Sequence, residues 1–257
     1  MGGTTFETRR KGLSAQEAFR AATEAARHEY GHNGYSGTVG EKHDFVIIGE
    51  PAEDMKRALV QKMLEGAERS VAYYRAEAEK RRNIPAGDWG YPHRETWAKQ
   101  EEEQAARAAV RVEKLKSVLA AKERVPFALV ANEYADKLIE EGDRRIADKW
   151  GPAGCIVLRE PDRVKRLTKA AAEKLATEKY GAGAIVTVKR RDRRAWARIE
   201  LKGKVKVESR DRFTRPTERL VESVSVAAQA EGEDASEAYG RLFAGPGEYL
   251  FFGWASS

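Results

Sequence analysis

The chain has 257 residues, room for one large domain or two small ones, and 34% of them are charged against 41% hydrophobic. No apolar run approaches the roughly 18 residues of a membrane span, so a soluble protein with no membrane partner is expected. The net charge of +6 is uneven: from Lys189 to Arg215 twelve Lys/Arg stand against four Asp/Glu, a local +8 that leaves the remainder slightly acidic.

Met1-Gly-Gly-Thr-Thr-Phe6 lacks the apolar core of a signal peptide. The single Cys155 excludes an internal disulfide and fits a reducing compartment, so a cytoplasmic location is expected. Ser14-Ala-Gln-Glu17 is a capping box and predicts a first helix from Ser14. Phe19, Ala22, Ala26 and Tyr30 would form its buried stripe, with Gly31 and Gly34 as the stop. Residues 35–48, ending Phe45-Val-Ile-Ile48, read as a strand. Residues 52–82 and 95–124 are long helical stretches that predict an antiparallel hairpin, joined by the breaker-rich Asn83–Pro92. Glu65–Arg69, Glu77–Arg81 and Glu103–Arg107 have the i,i+4 spacing of ion pairs. Met55, Leu59, Met63 and Ala67 would face Val112, Leu115 and Leu119 across the seam.

A helix after Pro126, carrying Val130, Tyr134 and Leu138, is predicted to run to Trp150-Gly-Pro152. Ala153–Leu158 reads as a buried strand with Cys155 a small core residue. A helix over 161–180, through Val164, Leu167, Ala171 and Leu175, ends at Gly181. Strands follow at 184–189, 194–201 and 204–209, the second alternating Ala195, Ala197, Ile199 with Trp196, Arg198, Glu200. Lys202-Gly-Lys204 would be a tight connection, residues 229–240 a polar loop, and Glu248–Ser256 a terminal strand.

Two patterns carry chemistry. His28-Glu29-Tyr30-Gly31-His32 reads as H-E-x-x-H; on a helix it would set His28 and His32 one turn apart as zinc ligands, with Glu29 as general base. A third ligand does not announce itself, and His28 falls opposite Phe19 on the helical wheel. The same residues open a glycine-rich turn in which His32, Tyr35, Ser36 and Thr38 could bind a small polar ligand or fix a chain reversal. The second pattern is basic. Lys189-Arg-Arg-Asp-Arg-Arg194 predicts a hairpin tip, continued by Trp196, Arg198, Lys202, Lys204 and Lys206. Cations with an interleaved aromatic suit phosphate contact and base stacking, whereas a solvated, aggregation-resistant edge would need less charge.

Three segments, Tyr30–Thr38 with Glu41-Lys42, Asp148–Ile156 and Phe251–Ser257, together resemble a group of small uncharacterised proteins encoded by bacteriophages, chiefly of actinobacteria. The resemblance covers about a third of the chain, centres on Tyr30, Gly31 and His32, and carries no established activity. Its layout implies an α+β core from 1–50, 126–158 and 246–257. It also implies an inserted helical hairpin (52–124) and an inserted basic antiparallel sheet (161–245).

The resulting expectation is an α+β, non-enzymatic phage-type accessory protein without a cofactor. It would bind nucleic acid or another polyanionic surface through Lys189, Arg190, Arg191, Arg193, Arg194, Trp196, Arg198, Lys202, Lys204 and Lys206. The alternatives are a zinc hydrolase at 28–32 and an inhibitor docking on a host protein through the helical hairpin.

Overall fold

The computed structural model describes residues 3–31, 36–163, 165–191, 194–201, 205–209, 217–221, 229–232 and 234–256, with backbone alone at 191, 205–209, 217–221 and 229–231. The fold is mixed α+β, and its contacts group into two compact units: residues 1–10, 19–159 and 249–257, and residues 11–18 with 160–248. Among the described residues no helix is long and apolar enough to cross a membrane.

The first unit is built on a sheet of β1 (Gly3–Gly12), β2 (Phe45–Ile47), β3 (Ala153–Arg159) and β9 (Gly247–Ser256), in the order β1-β9-β3-β2. The terminal strand β9 lies inside the sheet, and its near-continuous apolar run follows from burial on both faces. Successive side chains alternate: Phe251 meets Phe19 and Phe45 at centroid distances of 5.3 and 5.7 Å, whereas Leu250 and Phe252 join Ile156 and the helix α4 (Phe127–Glu140). A Cβ on Gly154 would stand 2.6 Å from the Phe252 ring, so this residue has to be glycine. The N-terminal strand β1 was not legible from pattern, because Phe6 is its one buried large side chain and the rest is Gly, Thr, Glu, Arg and Lys.

Helix α1 (Ala15–Tyr30) starts where the capping box placed it. Ser14 Oγ accepts the Glu17 N–H at 3.2 Å, and the Glu17 carboxylate takes the N–H of Leu13 at 2.9 Å, one residue before the cap. Its stripe is Phe19, Ala22 and Ala26; Tyr30 is 57% exposed, because the helix ends there and its last turn is solvated. The expected long strand over 35–48 is only three residues. Thr38 caps a 3-10 turn at Val39–Glu41, and hydrogen bonds to the Glu41 carboxylate fold residues 36–42 compactly, which precludes extension.

β2 and β3 are parallel, with Phe45 opposite Ala153, so their connection must cross over the sheet. α4 serves as that crossover helix, and the hairpin of α2 (Glu53–Arg82) and α3 (Arg94–Ala120) is spliced in ahead of it. Its seam is Leu59, Val60, Leu64 and Ala67 against Val112 and Leu115, closed by Val125 and by Val130 of α4; Met55 lies outside, 37% exposed. None of the three expected i,i+4 ion pairs forms. Glu77 meets Lys80, Glu65 takes a hydrogen bond from Gln61, and the hairpin is bridged instead by Glu68–Lys116 at 3.4 Å and by Arg82–Glu102. Trp89 at the joint is 82% exposed, edge-on to Trp97.

α4 does not reach Trp150. It stops at Glu140 in a Schellman motif, Gly142 N–H to the Ile139 carbonyl and Asp143 N–H to that of Leu138, and Ile146 packs from the turn beyond.

In the second unit α5 spans Lys169–Tyr180, capped by Thr168, not 161–180. The N–H groups of Asp162 and Leu167 are taken by the carbonyls of Gly245 and Ser236, so that stretch cannot coil; Val164 lies outside the described residues. β4 (Ala184–Arg191), β5 (Arg194–Leu201) and β8 (Gln229–Gly232) form an antiparallel sheet in the order β4-β5-β8. α5 and α6 (Ala235–Phe243) cover one face through Ala172, Ala176, Ala238, Tyr239 and Leu242. The expected loop at 229–240 is thus a strand and a helix. Asp234 caps α6, its Oδ1 accepting the Glu237 N–H at 2.7 Å. β6 (Val205–Ser209) does not extend this sheet but pairs with β7 (Thr217–Val221) in a separate two-stranded ribbon.

Candidate nucleic-acid interface

The β4–β5 hairpin owes its position to its inner face. Val186, Ala195, Ala197 and Ile199 are at most 2% exposed against the two helices, so the intervening β5 residues must point away. Trp196 therefore lies half-buried on the outer face, with Lys189 directly opposite it in the ladder. Lys189, Arg190 and Arg194 are exposed at the turn end of the hairpin; Lys189 and Arg194 share the face of the indole, and Arg190, opposite Ala195, projects from the other face.

The rest of the expected cationic surface divides. Arg198 is only half-exposed and meets Glu200, Nη1 to Oε1 at 3.5 Å, so part of its charge is neutralised within the strand. Lys206 belongs to the β6–β7 ribbon, opposite Leu220, and is therefore not on this sheet. The backbone of Arg191 stands opposite Arg194. Arg193, Lys202, Gly203 and Lys204 lie outside the described residues.

The H-E-x-x-H reading loses its helical frame. His28 and Glu29 are exposed on the last turn of α1, and Gly31, with φ +87°, adopts a conformation that ends the helix before the second imidazole. His32 lies outside the described residues, as do Gly34 and Tyr35. Among the described residues no three His, Cys, Asp or Glu side chains are grouped to hold a metal ion. Burial pushes the Cys155 thiol up to about 12, so it is not a thiolate at neutral pH.

The hydroxyls of the turn are turned inward. Ser36 Oγ and Thr38 Oγ1 lie 2.8 Å apart, Ser36 donates to Glu41 Oε1, and Thr38 accepts the Gly40 N–H. Glu41 then ties this turn to the C-terminal strand: Oε1 accepts the Gly37 N–H at 2.7 Å and Oε2 the Ser256 N–H at 2.8 Å. Gly37, at φ +67°, also donates to the Ser256 carbonyl, and a Cβ there would sit 2.6 Å from Thr4.

The adjacent Lys42, 2% exposed, spends its ammonium on the carbonyls of Asp148, Lys149 and Gly151 at 3.3, 2.8 and 3.0 Å. Burial lowers its pKa, against the pull of Asp148 and Glu41. The three segments that carry the phage-protein resemblance thus converge, through Glu41 and Lys42, on one hydrogen-bonded junction. Glu41, Lys42 and Ser256 lie in the segments that carry the resemblance, but pattern alone assigns them no role, since their partners are more than 100 residues away or on the backbone.

Compared with known proteins, the chain matches no family model, no curated protein and no solved structure.

Proposed function

We propose that the protein binds nucleic acid, or a comparable polyanionic surface, through the turn end of the β4–β5 hairpin, and that it acts by binding and not by catalysis. The supporting observation is the exposure of Lys189 and Arg194 at that end on the Trp196 face, turned away from α5 and α6, with Arg190 exposed at the same end on the opposite face. Such cations gain affinity by releasing counterions condensed on a phosphate backbone, which depends on proximity and not on base sequence. Trp196 offers a ring for stacking on an unpaired base, a contact worth about 1–3 kcal/mol. A phage-type accessory role, which the sequence resemblance implies, is compatible with a binder of this kind.

The test is fluorescence anisotropy with labelled single-stranded and duplex oligonucleotides. Arg190→Gln with Arg194→Gln should weaken both roughly tenfold or more, and Trp196→Ala should weaken the single strand preferentially. Affinities unaltered by the paired arginine substitution would remove the proposal.

A further inference from the structure

We infer that the α2–α3 hairpin carries a second, separate binding site, for a small oligophosphate anion. A groove of about 520 Å³ runs along one side of this hairpin. Its α2 wall extends from Lys62 to Tyr74, a helical distance of about 18 Å. Four cations line it: Lys62 and Arg69 from α2, Arg107 and Arg111 from α3. The lone acid among the described lining residues is Glu133 of α4.

These cations are conspicuous for what they do not touch. None of the four has an ion pair or hydrogen bond to a described residue, although both helices are rich in glutamate. Helical spacing would give Arg69 to Glu65 and Arg107 to Glu103, yet both arginines line the groove instead. Glu68 and Glu102, the acids that do bridge the helices, pair with Lys116 and Arg82.

The floor supplies an independent observation. Gly66 lies in the middle of α2, where glycine is disfavoured relative to alanine. A Cβ there would meet nothing within 4 Å, so packing does not require glycine; its effect is to keep the groove deep. Four unneutralised cations around an open trough match an anion bearing several charges a few ångströms apart. The volume is that of a small-molecule site, and the half-buried Tyr74 at one end offers a planar group a face. Oligophosphates, free or carried by a nucleoside, have this chemistry.

The proposal is tested by calorimetric titration of the full chain with inorganic tripolyphosphate and with ATP at low ionic strength. Saturable one-to-one binding is expected, weakened at least about tenfold by Arg107→Gln with Arg111→Gln. Gly66→Leu, which keeps every charge and favours the helix, should abolish it by filling the floor. Arg190→Gln with Arg194→Gln should leave it unchanged, which separates this site from the β4–β5 hairpin. Tighter binding of ATP, with the difference removed by Tyr74→Ala, would identify the nucleoside-bearing form; equal binding would identify the bare phosphate chain. Failure of both anions to bind, binding indifferent to both groove variants, or binding of oligonucleotides alone would overturn it.

Discussion

Lys42 and Lys56 in the first unit, and Lys189 and Arg190 at the end of the β4–β5 hairpin, carry the same charge in opposite circumstances. The first two are 2% and 3% exposed and fully engaged, Lys42 by three carbonyls and Lys56 by Glu50, Glu53 and the Val125 carbonyl. The latter two stand in solvent. Desolvating an ammonium is costly unless every proton finds an acceptor, so buried lysines of this kind act as clamps between distant chain segments. Exposed cations contribute little to folding and remain available to an external anion. The difference teaches that net charge locates function only after the internally satisfied cations are set aside.

Substitutions should sort along this line. Lys42→Met is expected to cost the most, about 3 kcal/mol in urea unfolding, because it orphans the carbonyls of Asp148, Lys149 and Gly151. Lys56→Met should cost about 2 kcal/mol, less because Glu50 is half-exposed and can return to water.

The Lys56 cluster also sets a pH signature. A hydrogen bond from Lys56, followed by one from the Val125 N–H, holds the Glu53 carboxyl below its ordinary 4.5; Glu50 and then Glu53 hold Lys56 above its ordinary 10.5. As pH falls below 4.5 the unfolded chain protonates Glu53 first, and stability is lost down through the depressed folded value. As pH rises past 10.5 the unfolded chain releases the Lys56 proton first, and stability is lost up through the raised folded value. Both limbs should flatten in Lys56→Met, which denaturation midpoints across pH will show.

By contrast, Arg107→Gln with Arg111→Gln, and Arg190→Gln with Arg194→Gln, should each change unfolding free energy by no more than about 0.5 kcal/mol. Cys155 gives the smallest signal: buried, with its thiol pushed up to about 12, it should resist a thiol reagent at neutral pH until the chain unfolds.

Legibility followed the reach of the interactions. The capping box at Ser14, the helical hairpin and the alternation of Ala195, Ala197 and Ile199 are local patterns, and each appears where its spacing placed it. Long-range competitors defeated the pattern elsewhere. The carboxylate of Glu41 folds a stretch whose composition reads as a strand, and backbone bonds to Gly245 and Ser236 hold Asp162 and Leu167 out of a helix. α6 was hidden by an acidic composition, although Asp234, Glu237 and the spacing of Ala238, Tyr239 and Leu242 encode a capped amphipathic helix. At the candidate interface the cationic run was visible in the sequence. The departure of β6 into its own ribbon was not, because strand pairing is fixed by partners distant in the chain. The Arg198–Glu200 pair is local, two residues apart on one face of β5, and the alternation of that strand already encodes it.

The most direct test of the central claim is the salt dependence of oligonucleotide affinity for the unmodified chain and for its Arg190→Gln/Arg194→Gln variant. A hairpin that grips phosphates predicts a linear fall of log affinity with log salt, and a slope shallower by about 2 in the variant. Affinity that is flat across salt, or slopes that coincide, would contradict it.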